Sequence, residues 1–213
     1  MQKKHIFGIT VFLIMVLIIK SNINIAETGS IDIELLENSQ SISGELFNKL
    51  IIDGEKFKIG KKYKEQLSVK NNEIDAYVRV VITKKWKDNA ELNPYMIQLE
   101  MDKTGAWIID ENACSPNKTV MYYSKCLKNN EITPNFIDSI KIDNKILSET
   151  ETKTTVGTNG CQNIETSYAY DNANFELEAE AQAIQSHNAV DAAWEAWGVD
   201  IKINQDGSLA LVQ

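Results

Sequence analysis

The run Phe175, Leu177, Ala179, Ala181 and Ala183, alternating with Glu176, Glu178, Glu180 and Gln182, constrains this chain more than any other stretch of it. A helix would scatter these apolar residues around its circumference, whereas a strand gathers all of them on one face. Alanine and glutamate favour helix by propensity. Propensity is the weaker term, so the period of two predicts a strand. Its outer face then carries a row of carboxylates, which calls for lysine or arginine on a neighbouring strand to offset their repulsion.

The same alternation recurs in shorter runs. Ile31, Ile33 and Leu35 alternate with Asp32 and Glu34, and Val78, Val80 and Ile82 share a face opposite Arg79 and Thr83. Val120 to Leu127, Ile137 to Ile142 and Ile164 to Tyr170 follow, and Val199, Ile201 and Ile203 run into the turn residues Asn204 to Gly207. One helix is predicted, from Ala189 to Trp197, with Asn188 as N-cap, Asp191 in its first turn and Gly198 as the terminating residue. Its apolar stripe is Val190, Ala193, Trp194 and Trp197, which favours packing of both indoles on the fold over a sugar-binding shelf. Residues 86 to 95, with Trp86, Asp88, Asn89 and Pro94, read as a surface excursion, and about 149–163 as a long exposed connection. Many short strands with one helix and no helical crossovers imply an all-β, antiparallel, jelly-roll-like β-sandwich with one short helix near the C-terminus.

The N-terminus has the layout of a secretory signal: Lys3 and Lys4, then an uncharged stretch from Ile6 to Ile19, then Lys20. Those fourteen residues would span about 21 Å as a helix, short of the roughly 30 Å of a bilayer's hydrocarbon core. Cleavage after Ala26 is expected, which gives a signal peptide over 1–26 and a single domain over 27–213. Membrane contact is then confined to the signal segment before cleavage, and the mature protein is expected to be secreted or attached at the cell surface. Of 22 Lys and Arg, 19 remain in the mature chain against 30 Asp and Glu, a formal charge of −11. Such a chain repels nucleic acid. Its densest basic stretch, Lys56 to Lys64, holds Gly60 and runs into Glu65, and reads as a charged strand or turn.

Catalytic constellations are hard to assemble from these residues. Of the two histidines, His5 leaves with the signal and His187 sits at a strand-to-helix junction. One histidine cannot supply the paired ligands of a zinc peptidase, and no nucleophile-elbow, papain-like or phosphate-loop pattern occurs. Cys114, Cys126 and Cys161 lack the short spacings of a structural zinc site. They allow at most one internal disulfide, and Cys126 reads equally well as a buried strand residue. No cofactor, metal or catalytic residue is assigned, and the chain reads as a non-enzyme. Acidic pairs such as Asp102 with Asp110 and Glu111 leave carboxylate-only hydrolysis as the least favoured reading.

Several blocks resemble a known group. Gly29 to Leu35 (GSIDIEL), Val69 to Trp86 (VKNNEIDAYVRVVITKKW), Tyr122 to Ile142 with its NEITP turn, and above all Ala179 to Asp200 (AEAQAIQSHNAVDAAWEAWGVD) are similar to the TasA/camelysin-like exported proteins of Gram-positive bacteria. The resemblance implies a jelly-roll sandwich and assembly into biofilm matrix fibres, alone or with other matrix proteins. In that assembly an N-terminal strand of one subunit completes the sheet of the next. Here that strand spans Ile31 to Leu36, with Ile31, Ile33 and Leu35 as the side chains that fill the pockets. The metallopeptidase label that some relatives carry is not transferred, because only His187 survives processing. The alternative is a surface module for carbohydrate or protein, using Trp86, Tyr95 or Trp107 as exposed aromatics.

Overall fold

The computed structural model describes residues 31–42, 58–87, 89–156, 162–171 and 173–212. The expected signal segment and cleavage site after Ala26, together with Asp88 and Cys161, lie outside the described residues.

Thirteen strands and one α-helix are described. The first sheet holds, in spatial order, β2 (Gln40–Ser41), β1 (Ile33–Glu37), β3 (Lys62–Asn71), β8 (Ile137–Ile142) and β5 (Ile97–Met101). The second holds β11 (Phe175–Gln185), β4 (Ala76–Trp86), β7 (Lys118–Tyr123) and β6 (Trp107–Ile109). Every ladder is antiparallel. The chain passes from one sheet to the other between β3 and β4, β4 and β5, β5 and β6, and β7 and β8, the wrapping that makes the sandwich jelly-roll-like.

The sheets enclose one apolar layer. Val78, Val80 and Ile82 of β4 point inward with Leu67 and Val69 of β3, Ile137, Ile140 and Ile142 of β8, and Phe175 and Leu177 of β11. Each such side chain contributes roughly 1.5–3 kcal/mol by leaving water. The long alternating run is β11: Phe175 to Ala183 on odd positions are buried, and Glu176 opposite Lys85 makes an ion pair at 3.0 Å. Further along the same face, Arg79 Nε donates to Gln182 Oε1 at 2.6 Å. Glu176 thus finds its cation on β4, while Glu178 and Glu180 stand opposite Thr83 and Val81.

A third layer covers the outer face of the second sheet. It comprises α1 (Ala189–Trp197) and the hairpin of β12 (Ile201–Ile203) and β13 (Leu209–Leu211), whose Ala189, Ala193, Trp197, Ile201 and Leu209 pack on Tyr77, Val120, Tyr122 and Ile184. At nine residues α1 is too short to hold by itself, and this packing stabilises it. Gly198, at φ 66°, ends it by donating its N–H to the Trp194 carbonyl. Asn188 precedes it in a left-handed conformation and makes no side-chain cap, unlike the expectation.

The helix is also rotated from its expected setting. Ala189, Ala193 and Trp197 line the buried face, while Val190 is 46% and Trp194 60% exposed. At 3.6 residues per turn, Trp194 lies about 100° around from Ala193. The alanines let the helix lie close against the sheet and leave space for one indole, that of Trp197, between Tyr122 and Arg79.

The stretch 149–163 differs as well. It is exposed at Thr152, Lys153 and Thr154, yet it forms β9 (Thr150–Val156) and the start of β10 (Gln162–Tyr168), paired from Val156 with Gln162 to Thr150 with Tyr168. A two-stranded ribbon needs no apolar face for its backbone ladder, and threonine favours the extended form, so a stretch without bulky apolar residues still becomes a hairpin.

Candidate functional site

The strand singled out for assembly, β1, lies near the edge of the first sheet. It pairs with β3 from Ile33 opposite Asn71 to Glu37 opposite Leu67, and the Asn72 N–H extends the ladder to the Asp32 carbonyl at 2.8 Å. Ile31 and Ile33 are buried in the inter-sheet core and Leu35 packs against it half-buried. Leu36, on the opposite face, is also buried. On its outer side β1 meets a short return segment: Leu36 and Glu37 pair with Ser41 and Gln40, and the Ile42 N–H reaches the Leu35 carbonyl at 3.4 Å.

The reversal between β1 and β2 uses two consecutive left-handed residues, Asn38 at φ 50° and Ser39 at φ 64°. This is the geometry of a tight hairpin turn that asparagine tolerates. Asn38 anchors it: its N–H donates to the Gln66 carbonyl at 2.7 Å, its Oδ1 accepts from the Gln66 N–H, and its Nδ2 donates to the buried Glu65 carboxylate.

Two of the three expected surface aromatics are in the core. Trp86 is 4% exposed, donates its indole N–H to the Asn93 carbonyl at 3.0 Å, and stands edge-to-face to Tyr170 and Phe175. Trp107, at 5%, donates to the Pro134 carbonyl at 3.0 Å and packs on Tyr123 and Phe136. Both sit at ends of core strands, where an indole closes the open end of a sandwich while its N–H finds a loop carbonyl. Tyr95 alone is at the surface, 62% exposed.

Tyr95 borders a groove of about 680 Å³ at the β5 edge of the first sheet. Leu99 and Met101 contribute apolar surface, and the lining holds four lysines, Lys62, Lys84, Lys103 and Lys141, with one carboxylate, Glu100. Lys62 and Lys103 both bridge to Glu100, and Ser139 donates to it at 2.9 Å. The Lys84 ammonium lies 5.7 Å from the Tyr95 ring centroid and donates to the Ile97 carbonyl at 2.7 Å, and burial lowers its pKa.

A second cleft, about 540 Å³, opens beside the third layer and includes Arg79, Asp110, Lys118, Tyr122, Trp197 and Val212. Of the carboxylates considered for hydrolysis, Glu111 is exposed and the two aspartates are tied to backbone. Asp110 Oδ1 accepts from the N–H groups of Asn112 and Ala113, and Asp102 accepts from those of Thr104, Ala106 and Trp107. Asp206, in the expected hairpin turn, accepts from the N–H and hydroxyl of Ser208.

Cys114 and Cys126 are free thiols. Cys126 packs at the edge of the outer apolar cluster, and burial pushes its thiol pKa up, in keeping with a packing role. His187 is exposed. Among the described residues no three His, Cys, Asp or Glu side chains group closely enough to hold a metal ion.

Sequence reasoning missed the exposed indole of Trp194 and the lysine-rimmed groove. Strand periodicity places Lys62, Lys141 and Gln98 on one face, but their adjacency depends on the order β3-β8-β5, which joins strands far apart in the chain. No family model, curated protein or solved structure matches the chain.

Proposed function

We propose that this chain is an exported structural protein of a bacterial cell surface or biofilm matrix that associates with its own copies through its N-terminal strand, as its TasA/camelysin-like blocks imply. One observation carries the reading. The first described strand after the expected cleavage site lies near a sheet edge, yet its Ile31 and Ile33 fill the core between the sheets.

Withdrawing that strand would bare the edge of β3 and the apolar floor beneath it. The same strand from another copy would restore identical contacts at little net cost, the basis of strand exchange and of β-strand addition. The acidic balance of the mature chain suits a secreted protein that avoids nucleic acid and anionic lipid.

The test is light scattering after size-exclusion chromatography on the chain from Glu27 and on one lacking residues 27–37, with a synthetic 27–37 peptide added to each. Large species formed by the longer chain alone, and peptide binding by the shorter one, support the reading. Equal, monomeric behaviour of both chains without peptide uptake overturns it.

The second reading, a surface binding module, draws on Tyr95 and the cationic groove beside it. With Trp86 and Trp107 in the core, it no longer has an aromatic shelf, and an anionic partner is what the groove would favour.

A further inference from the structure

The exposed face of α1 carries two adjacent rows one helical turn apart: Val190 with Trp194, and Asp191 with Glu195. An indole left 60% exposed is a large apolar knob on a surface otherwise rich in charge. Asp191 and Glu195 are like charges at a spacing that disfavours the helix, and among the described residues neither makes an ion pair. This face is therefore apolar, anionic and unpartnered.

The groove on the first sheet has the opposite character. Its lining holds four lysines and one carboxylate, which Lys62 and Lys103 already share, while Lys141 has no ion-pair partner among the described residues. Leu99, Met101 and the Tyr95 ring give it an apolar part, and the groove as a whole, at about 680 Å³, has the volume to take an indole.

From this complementarity we infer that Trp194 of one copy docks in the lysine-rimmed groove of a second copy, with Asp191 and Glu195 meeting Lys62 and Lys141. The inference rests on the reading that copies of this chain associate, and it adds an interface separate from the N-terminal strand. Helix α1 lies over the outer face of the second sheet and the groove lies at the β5 edge of the first, so knob and groove are separate patches. A head-to-tail contact between two different patches repeats from copy to copy and, unless its rotation closes a ring, builds an open row, which is what a fibre requires.

Sedimentation velocity at low salt on the chain from Glu27 tests this, with Trp194→Ala, the pair Lys62→Glu with Lys141→Glu, and the pair Asp191→Lys with Glu195→Lys. All five positions are on the surface, and circular dichroism checks the fold of each variant. Each variant should associate at least about tenfold more weakly than the parent. An equimolar mixture of the two charge-reversed proteins should regain association, because one supplies a cationic helix and the other an anionic groove. Concentration should shift tryptophan emission to the blue in the parent and not in Trp194→Ala, since Trp86, Trp107 and Trp197 are already buried within one copy.

Variants that associate like the parent overturn the groove contact while leaving strand exchange standing. Loss of association on deleting residues 27–37, with no effect of the charge reversals, likewise overturns the groove contact alone. Weakened association in the charge-reversed variants, with no effect of the deletion, supports the groove and overturns strand exchange. A parent that stays monomeric, or binds only an added anionic polymer, overturns both.

Discussion

The Arg79 guanidinium lies over the Trp197 ring, 5.3 Å from its centroid, and donates to the Trp197 carbonyl at 3.1 Å. One residue of β4 thereby holds the end of α1 by a cation–π contact, a charge-assisted hydrogen bond and a favourable position at a helix C-terminus. Replacing Arg79 with Ala should lower stability by about 1–3 kcal/mol, and Lys should recover only part of this because it lacks the planar fork that also reaches Gln182. Urea unfolding of the two variants checks the order.

Trp86 is a core residue by its burial and its bonded indole N–H. Trp86→Ala should cost about 3–5 kcal/mol, while Trp86→Phe should cost less, mainly by leaving the Asn93 carbonyl without its donor. Tyr95→Ala, at an exposed ring, should stay within about 0.5 kcal/mol of the parent. Midpoints of chemical unfolding for the three variants test this ranking, and equal effects would contradict it.

Glu100 gives stability a specific acid limb. Hydrogen bonds from Lys103, then Lys62, then Ser139 pull its carboxyl from the ordinary 4.5 to about 2. In the unfolded chain it takes up its proton near the ordinary value, but in the folded chain only near 2, so its contribution is complete above 4.5 and is lost as pH falls toward 2. Glu100→Gln should therefore be less stable than the parent at neutral pH, and the difference should vanish in that window. The gap should also narrow with added salt, because these groups are partly exposed.

Cys126 should react slowly with iodoacetamide in the folded protein. Burial raises its thiol pKa, so less thiolate is present at a given pH than for an exposed cysteine. Intact-mass measurement before and after unfolding in urea should show Cys126 becoming reactive on unfolding. A disulfide between Cys114 and Cys126 in the purified protein would contradict the free thiols.

Strands that bury one clean apolar face were legible from the residues alone: β11, β4 and β8 appear where alternation placed them. β3 was hidden because three of its buried positions carry Glu65, Ser68 and Asn71. The last is satisfied by bonds to the carbonyls of Ile74 and Leu127 that no local pattern announces. The strands β6 and β13, three residues each, are too short to show a period. The setting of α1 escaped for a related reason. Two indoles three residues apart suit a stripe centred on Ala193 or on Trp194, and the shape of the sheet beneath decides between them.

The same limit applies to the surface features. β1 was visible as a strand, and Ile33 and the preceding Ile31 as buried, because alternation reports local facing. The groove was not, since Lys62, Lys84 and Lys141 meet only after the sheets have formed.

The pairing of β4 with β11 carries a consequence for synthesis. Arg79 and Gln182, hydrogen-bonded neighbours in that ladder, are 103 residues apart in the chain. One flank of β4 therefore stays unfilled until a segment 103 residues further on has been made, and contacts of such separation form slowly. Export of an unfolded chain, which the proposed function requires, would be helped by this delay. Until β11 arrives, the same bare flank invites β4 to pair with strands from other nascent chains.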